Sequence, residues 1–211
     1  MPAGNSEVGS TRAADKLPRP IKLSPLTTIL LLVFFSLATG AERLDDPTRA
    51  FVNGYDPSGN DFLANVPERT VLLRVRADLD GNGRQDLALS DSSTWGNAGG
   101  QWLLFRGQPD GAYVYWGTLF FAPGSAALRD QGELTVYVRT SVSRGTLETY
   151  RLTTAGITKV ATAAINLEDP QGLQRYETAF KSGNRLPVEF CKLIDYKSQP
   201  ATCWRPGLGL P

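Results

Sequence analysis

An antiparallel, mainly β fold is what this sequence predicts: a meander closing into a compact sandwich or half-barrel, with one or two short helices. Three observations carry that expectation. Apolar and polar residues alternate with a period of two over successive short segments, tight-turn residues punctuate the chain between them, and only two stretches show helical spacing.

The first 41 of the 211 residues read as an address and not as part of the fold. Arg12, Lys16, Arg19 and Lys22 precede an uncharged stretch whose core runs Ile29-Leu-Leu-Leu-Val-Phe-Phe-Ser-Leu37, and the small residues Ala38-Thr-Gly-Ala41 follow. Basic, apolar and small segments in that order predict a secretory signal peptide, cleaved after Gly40 or after Ala41. An uncleaved membrane anchor is the competing reading, because the uncharged stretch approaches the ~20 residues that span a bilayer. Ser24, Pro25, Thr27 and Thr28 dilute its first third.

Residues 42–68 read as an N-terminal extension with a short helix over 47–53, behind Asp45-Asp46. The antiparallel β domain is expected over 69–165. Val71, Leu73, Val75 and Ala77 alternate with Leu72, Arg74 and Arg76, and further strand patterns follow at 86–90, 101–105, 112–120, 132–139, 146–152 and 157–163. Asp80-Gly-Asn-Gly83, Gly96-Asn-Ala-Gly-Gly100, Pro109-Asp-Gly111, Ser143-Arg-Gly145 and Ala155-Gly156 supply the turns. Tight connections between successive strands favour antiparallel neighbours.

Residues 166–211 are expected to form a helix over 170–181, with Leu173, Tyr176 and Phe180 on one face, and an irregular strap from 186 onward. Cys191 and Cys203, the only cysteines, sit in that strap. In an exported chain they predict one disulfide, stabilising the fold by about 3 kcal/mol through the short loop it closes.

The chemistry lies at residues 78–87, Asp-Leu-Asp-Gly-Asn-Gly-Arg-Gln-Asp-Leu, where oxygen side chains fall at loop positions one, three, five and nine and glycine at position six. Calcium takes about 6 to 8 oxygen ligands, and a tightly turning acidic loop points its carboxylates inward. Asp78, Asp80, Asn82 and Asp86 are the expected side-chain ligands and Arg84 a backbone-carbonyl ligand, with Gly83 permitting the sharp turn. An EF-hand would carry glutamate at position twelve and flanking helices, but position twelve is Leu89 and the flanks alternate as strands. A metal-free hairpin turn is the alternative, since Asp, Asn and Gly are ordinary turn residues. Three close carboxylates repel one another, which favours a cation. Arg76 and Arg84 would offset part of that repulsion and weaken the site toward ~10⁻⁴ to 10⁻³ M.

The match Asp-x-Asp-x-Asn-Gly-x-x-Asp-Leu between two strands resembles the calcium loop of FG-GAP and VCBS-type repeats, the units of integrin-like β-propellers and of many exported bacterial proteins. The resemblance extends through Trp102-Leu-Leu-Phe105 to about Phe121 and covers one unit. No second Asp-rich loop occurs, whereas a propeller needs about 4 to 8 blades. The resemblance thus implies one repeat built into a compact β domain that binds calcium.

Other chemistry is bounded by composition. No histidine occurs, which excludes a Ser-His-Asp triad, a Cys-His pair and the commonest zinc sites. Without residues 1–41 the 22 Lys+Arg lose four and the 21 Asp+Glu lose Glu7 and Asp15, leaving 18 against 19. A near-neutral chain gives no electrostatic reason to expect nucleic acid, and the only expected membrane contact is an uncleaved signal anchor. Glu133, Glu148, Glu168, Asp169, Glu177 and Glu189 are scattered, with no pair placed by a motif, so an enzyme is not expected. Trp102, Trp116, Tyr113 and Tyr115 read as core, while Trp95, in a turn, is the candidate platform for a sugar ring. The expected protein is therefore an exported, periplasmic or secreted calcium-binding β module of the cell envelope with a structural or interaction role, its partner an envelope glycan or protein. The alternatives are a carbohydrate or peptidoglycan-binding protein and a carboxylate-dependent hydrolase.

Overall fold

In the computed structural model, which describes residues 42–59, 71–129, 132–181, 185–192 and 202–205, the chain folds into two antiparallel sheets and two short helices. The expected leader, residues 1–41, lies outside the described residues, as do 193–201 of the C-terminal strap. Among the described residues no helix is long and apolar enough to cross a membrane.

The larger sheet contains β1 (Arg43–Leu44), β2 (Val71–Ala77), β3 (Asp86–Asp91), β4 (Gly100–Gly107), β5 (Tyr113–Phe121), β10 (Val188–Lys192) and β11 (Thr202–Trp204), in the order β1-β5-β4-β3-β2-β10-β11. The smaller is a meander of β6 (Ala126–Arg129), β7 (Glu133–Arg139), β8 (Arg144–Thr153) and β9 (Gly156–Asn166). The helices are α1 (Pro47–Val52) and α2 (Pro170–Ala179). Each begins with proline behind an aspartate whose carboxylate caps the first turn: Asp46 accepts from Arg49 N at 2.9 Å, and Asp169 from Gly172 N at 3.0 Å.

Period-two patterning sorts the side chains into layers. Leu73 and Val75 of β2, Ala88 of β3, Trp102 and Leu104 of β4, and Leu119 and Phe121 of β5 meet Leu134 and Val136 of β7 and Leu152 of β8 between the two sheets. The opposite face of the larger sheet buries Leu72, Leu87, Leu89, Leu103 and Phe105 with Phe51 of α1. The outer face of the smaller sheet buries Ala127, Tyr137 and Ile165 with Ala179 and Phe180. Both faces of β3 are thus covered, and all six of its residues are buried.

A bulge shifts the β4–β5 register, so that Phe105 opposes Tyr115 while Leu104 opposes Gly117, and Trp116 is the extra residue. The shift puts Tyr113 and Tyr115 on the α1 face, yet Leu119 and Phe121 on the inter-sheet face. Trp102 is fully buried, stacked on Phe121 with centroids 4.7 Å apart.

Three expectations are corrected here. The segment after 186 is not an irregular strap where described: Val188–Lys192 and Thr202–Trp204 extend the larger sheet, so that sheet draws strands from all three segments expected after the leader. β1 and β6 had no strand pattern to announce them. On α2 Leu173 faces solvent, 40 % exposed, and the inward stripe is Gly172, half-buried Tyr176 and Ala179, continued by the cap residue Phe180. Gly172 is on that face because a Cβ there would lie 2.1 Å from Asn166 O, so only glycine lets the helix start this close to the end of β9.

Candidate functional site

The antiparallel pairing of β2 with β3 turns the chain around residues 78–85 and returns Asp86 opposite Ala77. Leu79 points into the inter-sheet core, 1 % exposed, which anchors the loop between its two acidic neighbours Asp78 and Asp80. Gly81 and Gly83 take left-handed backbone with φ of 73° and 82°, the conformation the tight turn requires and a side chain resists.

This folding brings carboxylate oxygens of Asp78, Asp80 and Asp86 within 4.8 Å of one another. The loop closes on them through backbone donors. Asp78 accepts from Asn82 N at 3.0 Å and Gly83 N at 2.7 Å, and Asp80 from Asn82 N at 3.2 Å. Arg84 enters the loop through its backbone, donating N–H to Asn82 Oδ1 at 2.8 Å. Asp86 is completely buried and ties the loop to the end of β4, accepting from Leu79 N and from Gly107 N, each at 2.8 Å. All five expected loop residues, Asp78, Asp80, Asn82, Arg84 and Asp86, therefore belong to one compact turn.

The counter-charge differs from expectation. Arg76 pairs with Glu189, and Arg84 Nε donates to Gly107 O at 3.3 Å. The cation on the cluster is Arg106 of β4, whose Nε donates to Asp80 Oδ2 at 2.8 Å with both side chains largely buried. No spacing rule could have found it, because the β3–β4 register, not local sequence, carries Arg106 to the loop.

The electrostatics follow from these contacts. Burial pushes the Asp86 carboxyl up to about 6 against the two backbone bonds it accepts, and the charges of Asp80 and Asp78 push the same way. For Asp80 burial also opposes ionisation, but the bonds from Arg106 and Asn82 outweigh it and hold the carboxyl below its ordinary value. The Asn82 Nδ2 is buried without a hydrogen bond of normal geometry, the one orphaned side-chain atom of the loop among the described residues. The bond from Arg84 N to Asn82 Oδ1 fixes the orientation of the amide.

The donor set fits a hard divalent cation. Three carboxylates and one amide supply oxygen, each carboxylate oxygen that accepts one N–H keeps a second lone pair, and among the described residues a single arginine pairs with the cluster, leaving two of its negative charges unmatched. Among the described residues the cluster holds no histidine or cysteine that would suit a softer metal.

The remaining predicted residues fall elsewhere. Cys191 and Cys203 are paired residues of β10 and β11, disulfide-bonded with Cα atoms 4.0 Å apart. Trp95 packs into the inter-sheet core instead of standing free as a platform: its ring meets Trp102 edge-on at 5.6 Å and lies against Gly100, and its Nε1 donates to Ser90 Oγ at 2.8 Å. Several scattered carboxylates have structural partners. Glu133 pairs with Arg151, Glu148 with Lys159, and Asp169 caps α2. Glu189, 6 % exposed, takes Arg74 on Oε2 at 2.9 Å and both Arg76 and Arg205 on Oε1 at 3.2 Å.

No family model matches the chain, and no curated protein or solved structure matches it.

Proposed function

We propose that this chain is an exported β module of the FG-GAP and VCBS type whose Asp78–Asp86 loop holds calcium, with a structural or interaction role in the cell envelope. The observation that carries the reading is the meeting of three carboxylates within 4.8 Å on a turn anchored by a core leucine, opposed by one arginine. An ion of charge two would neutralise that excess and join β2, β3 and, through Asp86 and Gly107, the end of β4. The export part of the reading is supported by the leader-like pattern of residues 1–41 and by the disulfide, a bond that persists in oxidising compartments.

Calcium should then stabilise the folded chain as RT ln(1 + [L]/Kd), about 2.7 kcal/mol at a hundredfold excess over Kd. For a chain of this size that is a rise in Tm of roughly 5 to 10 °C. Asp80→Ala should abolish the rise, while Glu148→Ala, outside the loop, should keep it. A rise of equal size in both variants would assign the effect to calcium binding elsewhere.

A further inference from the structure

Three arginines gather on one carboxylate at the end of the larger sheet, where β10 and β11 follow β2. Glu189 of β10 stands opposite Arg74 of β2, and Arg76 follows two residues further along the same face of β2. Arg205 arrives from the other side. The pairing of β10 with β11 sets Phe190 opposite Trp204, so the next positions outward are Glu189 and Arg205. The Cys191–Cys203 disulfide, two residues from each, ties the segment that carries Arg205 to β10.

The guanidinium groups converge. Arg74 Nε donates to Glu189 Oε2 at 2.9 Å, while Arg76 Nη2 and Arg205 Nη2 both donate to Oε1 at 3.2 Å, which holds these two nitrogens within twice that distance of each other. Each of these bonds uses one nitrogen of a planar five-donor fork, so most donors of all three groups are left over. Glu189 is the buried base of the arrangement, whereas the side chains of Arg76 and Arg205 are 42 % and 45 % exposed and reach solvent.

The charges do not balance. Burial opposes ionisation of Glu189, but the bonds from Arg76 and Arg74 outweigh it and keep the carboxylate charged. Among the described residues no second carboxylate is paired with any of the three arginines, so two positive charges are in excess at one place on the surface. One arginine would suffice to join Glu189 to a neighbouring strand. Cations held this close repel one another, and a further anion among them would relieve that repulsion.

We propose that Arg74, Arg76 and Arg205, gathered by Glu189, form a binding site for a doubly charged tetrahedral oxyanion, a phosphate or sulfate group. Its two charges match the excess, and a guanidinium fork bonds two oxygens of such a group side by side. Arg76 and Arg205 present their donors at the surface, and the more deeply buried Arg74 adds its charge from the sheet. Glu189 and the disulfide hold the three in position beforehand, so less ordering is lost on binding. The proposal does not rest on calcium.

The test is calorimetry and NMR titration of the full chain with inorganic phosphate, sulfate and acetate, in metal-free buffer of low, constant ionic strength at about pH 8, where phosphate is doubly charged. Phosphate or sulfate should bind saturably with Kd at or below about 10 mM, and the tighter of the two identifies the group recognised. Acetate, with a single charge, should bind at least about tenfold more weakly. Phosphate and sulfate also stabilise folded chains by exclusion from their surface, but that effect does not saturate and is common to wild type and variants. Arg76→Gln with Arg205→Gln, which leaves Arg74 paired with Glu189, should weaken binding at least about tenfold. Arg151→Gln, a change to an exposed arginine of the smaller sheet, should leave it unaltered. The proposal is overturned by neither phosphate nor sulfate saturating, by acetate binding equally well, or by the double variant binding like wild type. The comparison of anions on the wild-type chain holds whether or not a variant folds.

Discussion

Replacing Arg106 by Gln removes the one cation bonded to the acidic loop among the described residues, and two opposite consequences follow. The pair is 2.8 Å long, with side chains 16 % and 4 % exposed for Arg106 and Asp80. At an effective permittivity near 20, attraction between charge centres about 4 Å apart is about 4 kcal/mol. Desolvation of both groups and the residual hydrogen bond from Gln reduce what the substitution costs to about 2 to 3 kcal/mol. In chelator, Arg106→Gln should therefore lower Tm by roughly 5 to 10 °C, within the stability of an ordinary domain. Calcium should reverse the order: without Arg106 the excess negative charge grows by one, so affinity should rise at least about tenfold. The assay is urea unfolding of wild type, Arg106→Gln, Asp80→Asn and the double variant, each in chelator and in calcium. The double-mutant cycle in chelator should give a coupling of about 1.5 kcal/mol or more. A coupling below about 0.5 kcal/mol, the level of a screened surface pair, would refute Arg106 as the counter-charge of the loop.

Two further outcomes follow from the larger sheet. Thiol titration of the unfolded, unreduced protein should find no free cysteine, and Cys191→Ser with Cys203→Ser should cost about 3 kcal/mol for a loop of 12 residues' separation. Glu189 is held below the ordinary glutamate range: burial opposes its ionisation, but bonds from Arg76 and Arg74 outweigh burial. Its folded value lies below its unfolded one, so its contribution is fully present above the unfolded value and is lost as pH falls through the acidic range toward the folded value. Wild type should therefore lose stability between about pH 5 and pH 3 more steeply than Glu189→Gln, measured by urea midpoints.

The strands of the two meanders were legible because alternation and turns coincided. Val71–Ala77 alternates, Gly81 and Gly83 mark the reversal, and the pairing of Ala77 with Asp86 follows from them. The acidic cluster of Asp78, Asp80 and Asp86 was legible for the same reason, since its residues lie within nine positions of one another. What was hidden depends on register. Arg106 reaches Asp80 across 26 residues, and Glu189 reaches Arg74 across 115, through strand pairings that no local pattern encodes. β6 is short, and the run Ala-Ala-Leu-Arg offers no alternation. Trp95 read as a candidate platform because it sits in the turn Ser92-Ser-Thr-Trp-Gly96, but bare backbone at Gly100 is what lets its ring fold back onto Trp102.

Calorimetric titration of the chelator-treated wild-type protein with calcium reads binding at the acidic loop without any variant. A single saturable site with Kd of ~10⁻⁴ to 10⁻³ M is expected, lost in Asp80→Ala, with the bound state melting several degrees higher than the chelated one. No binding heat, together with an unchanged Tm in about 10 mM calcium, tenfold above the weaker limit of that range, would contradict it. The loop would then be a turn neutralised by Arg106 and backbone N–H groups alone.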